Sequence, residues 1–242
     1  MHLVVGEAGL GAIACPGGRV RAAGGGWAWI DWNGQPVHVT GPQGPLTPLT
    51  VRVSRFPHVE VGAKMELDTS RAVLWRSPPI RIVARPEAIR DACTSVAAHR
   101  WNDPWALQLV DQPLDALLPR LLGRGPGLTP AGDDVLVGFM LARQCRGEAA
   151  VILAGARSRS GQPSRAFLRW ASKGQGPAVA VAMLHALVAA DAQALGPALR
   201  NLLAFGGTTG SAILAGLTSG LEKLAWAPPI PGATPDHHPT SA

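Results

Sequence analysis

The hydrophobic period of this chain changes once, near residue 85, and that change limits the folds open to it. Before it, short segments alternate apolar and polar residues: Gly17-Gly18-Arg19-Val20-Arg21, Trp27 to Trp32, Pro36 to Thr40, Leu49 to Val53, Val59 to Val61, Lys64 to Leu67 and Ile80 to Val83. A period of two, with β-branched residues and Gly/Pro clusters roughly every 8–12 residues, describes short strands joined by turns. Asn33-Gly34, set between two such segments, has the chemistry of a two-residue hairpin turn. Residues 1–84 are expected to form a small β barrel or sandwich.

After Arg85-Pro86 the period becomes helical. Pro86 suits the first turn of a helix, and further runs start at Asp103 and Pro113. Ala131–Arg146, Ser164–Ser172, Pro177–Ala190, Ala192–Leu203 and Thr209–Leu224 complete the set. Several are apolar on every face, which places them inside a bundle. The expected fold class is α+β: a β domain at 1–84, a helical domain at 85–226, and a Pro-rich tail at 227–242 that lacks periodicity and is expected to be disordered.

Composition excludes several function classes. Hydrophobic residues make up 47% of the 242 and charged residues 16%, a globular balance. The 29 Gly and 22 Pro follow no collagen period and favour a loop-rich architecture. The net charge of +6 invites a nucleic-acid reading, but the arginines are scattered and Lys occurs only at 64, 173 and 223. With no basic stripe interleaved with aromatics, nucleic acid is not the expected partner. Cys15, Cys93 and Cys145 lie far apart, so neither a disulfide framework nor structural zinc is expected. The longest apolar stretch, Pro177–Ala190, contains His185 and falls short of the roughly 18 residues of a membrane span. The first residues lack a basic segment ahead of their apolar part, and the expected location is the cytoplasm.

The segment richest in chemistry is 123–138. Gly123, Gly125 and Gly127 mark a backbone that needs positive φ or a close approach. Thr129-Pro130 has the form of a helix start, with the hydroxyl as cap, and Asp133 and Asp134 then fall near the first turn. One reading is an elaborate cap without chemistry. The other is a ligand loop, in which backbone N–H groups hold phosphate or carboxylate. Two adjacent carboxylates would then need a bridging cation, and Mg²⁺ on Asp133 and Asp134 is the expected solution; an amide or Arg124 facing the pair is the alternative. No Lys-Ser/Thr follows the glycines, so this is not a Walker loop.

A second glycine segment, 206–216, repeats the design: Thr208 and Thr209 as possible caps, Gly210 beside them, and Gly216 able to allow close helix packing. Two such helix starts could converge on one pocket. Of the remaining residues, Trp27, Trp29 and Trp32 are expected to serve core packing with one tryptophan at the surface. His38 stands alone in a strand, and His185 reads as a core histidine. Cys145 reads as a small buried hydrophobe. Arg157 and Arg165 are candidate anion binders.

Gly125–Asp134, the apolar helix after it and the distal Gly-x-Thr-Thr-Gly segment resemble the AllH-type subunit family of oxamate carbamoyltransferase, over most of 85–225. The resemblance implies carbamoyl transfer between oxalurate or oxamate and phosphate, in anaerobic allantoin breakdown, with other carbamoyltransferase subunits as partners. The substrate would be a small carboxylate or carbamoyl compound. It implies ligand contacts from Gly125, Gly127, Thr129, Gly132, Thr208, Thr209 and Gly210, with Asp133 and Asp134 as catalytic groups. The chain departs from the family pattern at Gly207 and Ala212, and at Ala166, where a His would fall; Ser160–Ser164 replaces a Thr-Thr-Arg-x-Ser segment. The alternative reading is a binding or assembly subunit that has lost part of the chemistry.

Overall fold

A computed structural model describes residues 3–13, 17–68, 70–100, 119–125, 128–145 and 159–224. Strands β1 (Leu3–Gly6), β2 (Gly18–Gly24), β3 (Trp27–Trp32), β4 (Gln35–Thr40), β5 (Thr50–Arg52), β6 (Lys64–Met65) and β7 (Ala72–Trp75) form one mixed sheet, ordered β6-β2-β3-β4-β5-β1-β7. Helix α1 (Glu7–Ile13) lies between β1 and β2. The helical part comprises α2 (Pro86–Ser95), a 3-10 turn at Ala97–His99, α3 (Ala131–Gln144), α4 (Gln162–Ala171), α5 (Ala178–Ala189), α6 (Ala192–Leu203) and α7 (Thr209–Leu224).

The α+β class therefore stands, with the sheet first and, α1 apart, the helices after it. The sheet is open: its edges β6 and β7 are not paired with each other. The Asn33-Gly34 turn forms as its chemistry requires, with φ of 52° and 79° at the two residues and Trp32 opposite Gln35. Two expected strands are absent, at Val59–Val61 and Ile80–Val83. The second follows Pro78-Pro79, and the N–H groups of Val83 and Ala84 go to the Val188 carbonyl of α5 instead of a ladder. Helix α1 was not foreshadowed by any period. It carries Gly9 and Gly11, poor helix formers, and is held by burying Ala12 and Ile13 against the sheet. The runs expected from Asp103 and most of the one from Pro113, Cys15 and the 227–242 tail lie outside the described residues; 119–121, the end of the Pro113 run, is helical.

Strand alternation separates two cores. Ala28, Ile30 and Trp32 of β3 join Val37 and Val39 of β4, Val5, Val51 and the α1 side chains in one cluster. Trp32 is the core tryptophan, 1% exposed. Trp29 and His38 point to the opposite face, where Trp29 packs against the helical core and meets Phe167 of α4 edge-on, ring centroids 6.1 Å apart.

Helix α3 is the centre of the larger core, buried without interruption from Ala131 to Ala142. It crosses α7 backbone to backbone. A Cβ on Gly138 would stand 2.1 Å from the Ile213 carbonyl oxygen, and one on Gly216 1.9 Å from that of Val135, so only glycine permits this approach. Sheet and helices are joined by polar contacts as well: Ala178 N–H donates to the Leu46 carbonyl at 2.8 Å, and the Ser77 hydroxyl donates to the Gly176 carbonyl at 3.0 Å.

Candidate functional site

The start of α3 differs from the sequence expectation. Pro130, not Thr129, is the N-cap residue, and no side chain caps the helix. Two N–H groups of the first turn are met by carbonyls of the chain itself: Gly132 N–H donates to the Arg124 carbonyl and Asp133 N–H to that of Pro130, both at 2.9 Å. Gly132 is required because a Cβ would lie 2.1 Å from the Leu121 carbonyl oxygen. Oδ1 of Asp133 accepts from Gly123 N–H at 2.8 Å and from the Ser160 hydroxyl at 2.9 Å. Ser164 donates to the Leu128 carbonyl, and Arg165 Nη1 to that of Ser160 at 2.7 Å. Asp133 and the 160–165 segment thus hold the glycine loop in shape. Gly125, at φ 113°, is exposed on that loop; Gly127 and Arg157 lie outside the described residues.

Asp134, one residue on, faces a cavity of ≈ 130 Å³ between the sheet and the helices. Thr129, Val137 and Asp134 line it from the α3 side, and Gly206, Thr209 and Ile213 from the α7 side. Phe167 and Phe205 add apolar wall, and the sheet contributes Trp29 and His38, with Thr47 from the β4–β5 connection. Its size is close to that of a cavity that holds benzene, about 150 Å³, enough for a ligand of a few heavy atoms.

Asp134 is only 4% exposed. The Thr209 side chain hydrogen-bonds its carboxyl, while Oδ2 has no hydrogen-bond partner among the described residues. Burial pushes this carboxyl well above the usual carboxylate range; the Thr209 hydrogen bond opposes the shift and the neighbouring Asp133 charge adds to it. Burial also holds the His38 imidazole down, to about 4, so it is neutral at physiological pH. The cavity therefore presents a carboxyl that favours its neutral form, a neutral imidazole and threonine hydroxyls. No Lys or Arg is among the described residues that line it.

For magnesium on the Asp133–Asp134 pair, one oxygen of each carboxyl is left over, since Oδ2 of Asp133 and Oδ2 of Asp134 have no hydrogen-bond partner among the described residues. Asp133 Oδ1 is already taken by two hydrogen-bond donors. Among the described residues no group of three or more His, Cys, Asp or Glu is placed to hold a metal ion.

The remaining expected contacts separate. Thr209 reaches the cavity; Thr208 is exposed, and its carbonyl accepts from Ala212 N–H and the Ser211 hydroxyl. Gly210 is a packing residue, since a Cβ would stand 1.8 Å from the Leu202 carbonyl oxygen. The two glycine segments do converge on one pocket, through Thr129 with Asp134 and through Gly206 with Thr209. The departures from the family pattern lie elsewhere: Ala212 is fully buried, Gly207 has open space around it, and neither they nor Ala166 line the cavity. Sequence reasoning missed His38 and Trp29 as cavity residues. Counting back from the Asn33-Gly34 turn pairs them across the hairpin, but nothing local says that helices cover that face.

The fold and site together define a class: an α+β protein whose open mixed sheet and helical bundle close on a small cavity with a buried acid and, among its described lining residues, no Lys or Arg. Residues 121–221 match the family described as oxamate carbamoyltransferase subunit AllH, which bears out the resemblance carried by Gly125–Asp134 and the distal glycine segment. No solved structure matches the chain. No helix among the described residues is long and apolar enough to cross a membrane.

Proposed function

We propose that this chain is a subunit of an oxamate carbamoyltransferase and that the cavity beside Asp134 is its small-substrate site. One observation carries the reading. The segment that matches the family supplies every cavity-lining residue except Trp29, His38 and Thr47. The reaction joins the carbamoyl group of carbamoyl phosphate to the nitrogen of oxamate, giving oxalurate and phosphate, or runs in reverse. In it, Asp134 and Thr209 would orient the substrate, and His38 and Trp29 would close the site from the sheet side, excluding water. Asp133 would act through the loop it braces. On this reading the chain divides near residue 85 into a sheet unit and a helical unit, and other subunits of the enzyme are its partners.

The reading that the chain serves only assembly is favoured by one observation: the first-turn N–H groups of Gly132 and Asp133 are spent on the chain's own carbonyls and are not free to hold an oxyanion. A reconstitution separates the two. The other subunits are combined with the native chain or with Asp134→Leu, and oxalurate formation from oxamate and carbamoyl phosphate is followed. Under the substrate-site reading the variant assembles and loses at least tenfold in rate. Equal rates would leave only an assembly role.

A further inference from the structure

The cavity is lined by a polar group that the described residues leave unsatisfied. Asp134 lines the cavity, and its buried Oδ2 has no hydrogen-bond partner among the described residues. A buried carboxyl oxygen left in this state costs free energy that a ligand donor would recover. The same cavity is hostile to an anion. No Lys or Arg is among its described lining residues, the Asp133 charge stands behind Asp134, and the α3 first-turn amides of Gly132 and Asp133 are already bonded.

Resting on the substrate-site reading above, we propose that the cavity takes the primary amide end of its ligand. An amide N–H is donated to the Asp134 carboxyl, and the ligand's carboxylate or phosphate is left to groups outside the cavity. A primary amide suits the lining on both counts. It is uncharged, so no counter-ion is needed, and it brings two N–H donors and a carbonyl that a threonine hydroxyl can meet. Its flat shape suits a wall formed in part by Trp29 and Phe167. The upward displacement of the Asp134 carboxyl by burial agrees, because a neutral acid accepts an amide without the cost of a buried charge.

Oxamate and oxalate make the decisive pair, because they differ only in an amide NH₂ against a carboxylate oxygen. Binding of each to the full chain is measured by calorimetry at neutral pH, beside Asp134→Leu and Thr209→Val, whose folding is checked by circular dichroism. Acetamide serves as an uncharged competitor. The proposal expects oxamate to bind at least tenfold more tightly than oxalate, acetamide to compete with it, and both variants to weaken it at least tenfold. If oxalate binds as tightly as oxamate and both are lost in the variants, the amide assignment is overturned while the substrate site stands. If neither compound binds, or the variants bind oxamate unchanged, the substrate site falls and the amide assignment with it.

Discussion

The rings of Trp29 and His38 lie stacked across the β3–β4 pair, centroids 4.7 Å apart and planes inclined by 22°. The stack faces the helices, and it explains why a strand histidine stays neutral: the tryptophan and the packed helical wall remove the water that would solvate an imidazolium. The unfolded chain binds a proton at His38 near the ordinary 6.5, and the folded chain does so only near 4. Between those values the unfolded state carries more protons, so the His38 contribution to stability rises with pH and is lost on acidification. The whole step is about 3 kcal/mol at most. His38→Phe should flatten the fall of unfolding free energy between pH 6.5 and 4, as read by urea unfolding across that range.

Asp134 has the opposite sign. Its folded-state value lies well above the unfolded one, so above pH 3.8 the folded chain keeps a proton that the unfolded chain releases. Stability from this group is present at low pH and falls as pH rises toward the folded value. Asp134→Asn removes that fall. Relative to the native chain it should gain stability steadily as pH rises from about 4, which the same titration measures. A constant difference across the range would show that the carboxyl is not held in its neutral form.

The Asp133 clasp gives a third expectation. Ser160→Ala removes one of two donors to a buried carboxyl oxygen and should cost about 1.5–3 kcal/mol, the range for hydrogen bonds to charged groups. Since Gly123 N–H shares that oxygen, Asp133→Ala combined with Ser160→Ala should cost less than the sum of the two single changes. A double-mutant cycle by denaturant unfolding reads the coupling.

The helix crossing gives a fourth. Gly216→Ala places a methyl group 1.9 Å from a backbone oxygen, and relief requires α3 and α7 to part. Its cost should be at least about 1–3 kcal/mol despite the better helix propensity of alanine. Gly11→Ala in α1, where a Cβ meets nothing within 4 Å, should instead stabilise by about 0.5–1 kcal/mol. The opposite signs of the two changes, read as shifts of the unfolding midpoint, test the contact itself.

A fifth concerns the thiols. Burial pushes the Cys93 and Cys145 thiols up to about 12, so neither offers thiolate at about pH 8. Alkylation mapped by mass spectrometry should leave both unmodified in the native chain and label both in guanidinium chloride.

Much of this architecture is legible in the local sequence. The change of period at residue 85 separates the strands from all the described helices but α1, because pleated and helical backbones present side chains at periods of two and 3.6, a property of the local chain. The Asn33-Gly34 turn is local for the same reason, and so is the density of glycine around Asp133-Asp134. Sequence assigned close packing to Gly216 but not to the other glycines that serve it. Gly132, Gly138 and Gly210 also meet carbonyls of residues distant in the chain or in the preceding helix, and no spacing announces that.

The sequence by itself determined the α+β class, the hairpin, the buried helices and the two glycine segments that converge. Tertiary structure alone decided the division of labour between two adjacent aspartates. A helix turns by about 100° per residue, so Asp133 and Asp134 face different surroundings: one meets Gly123 and Ser160, the other meets Thr209 and the cavity. It also brought Trp29 and His38, roughly a hundred residues upstream, to the same cavity, because the face of a strand that is covered depends on what the rest of the chain packs against it.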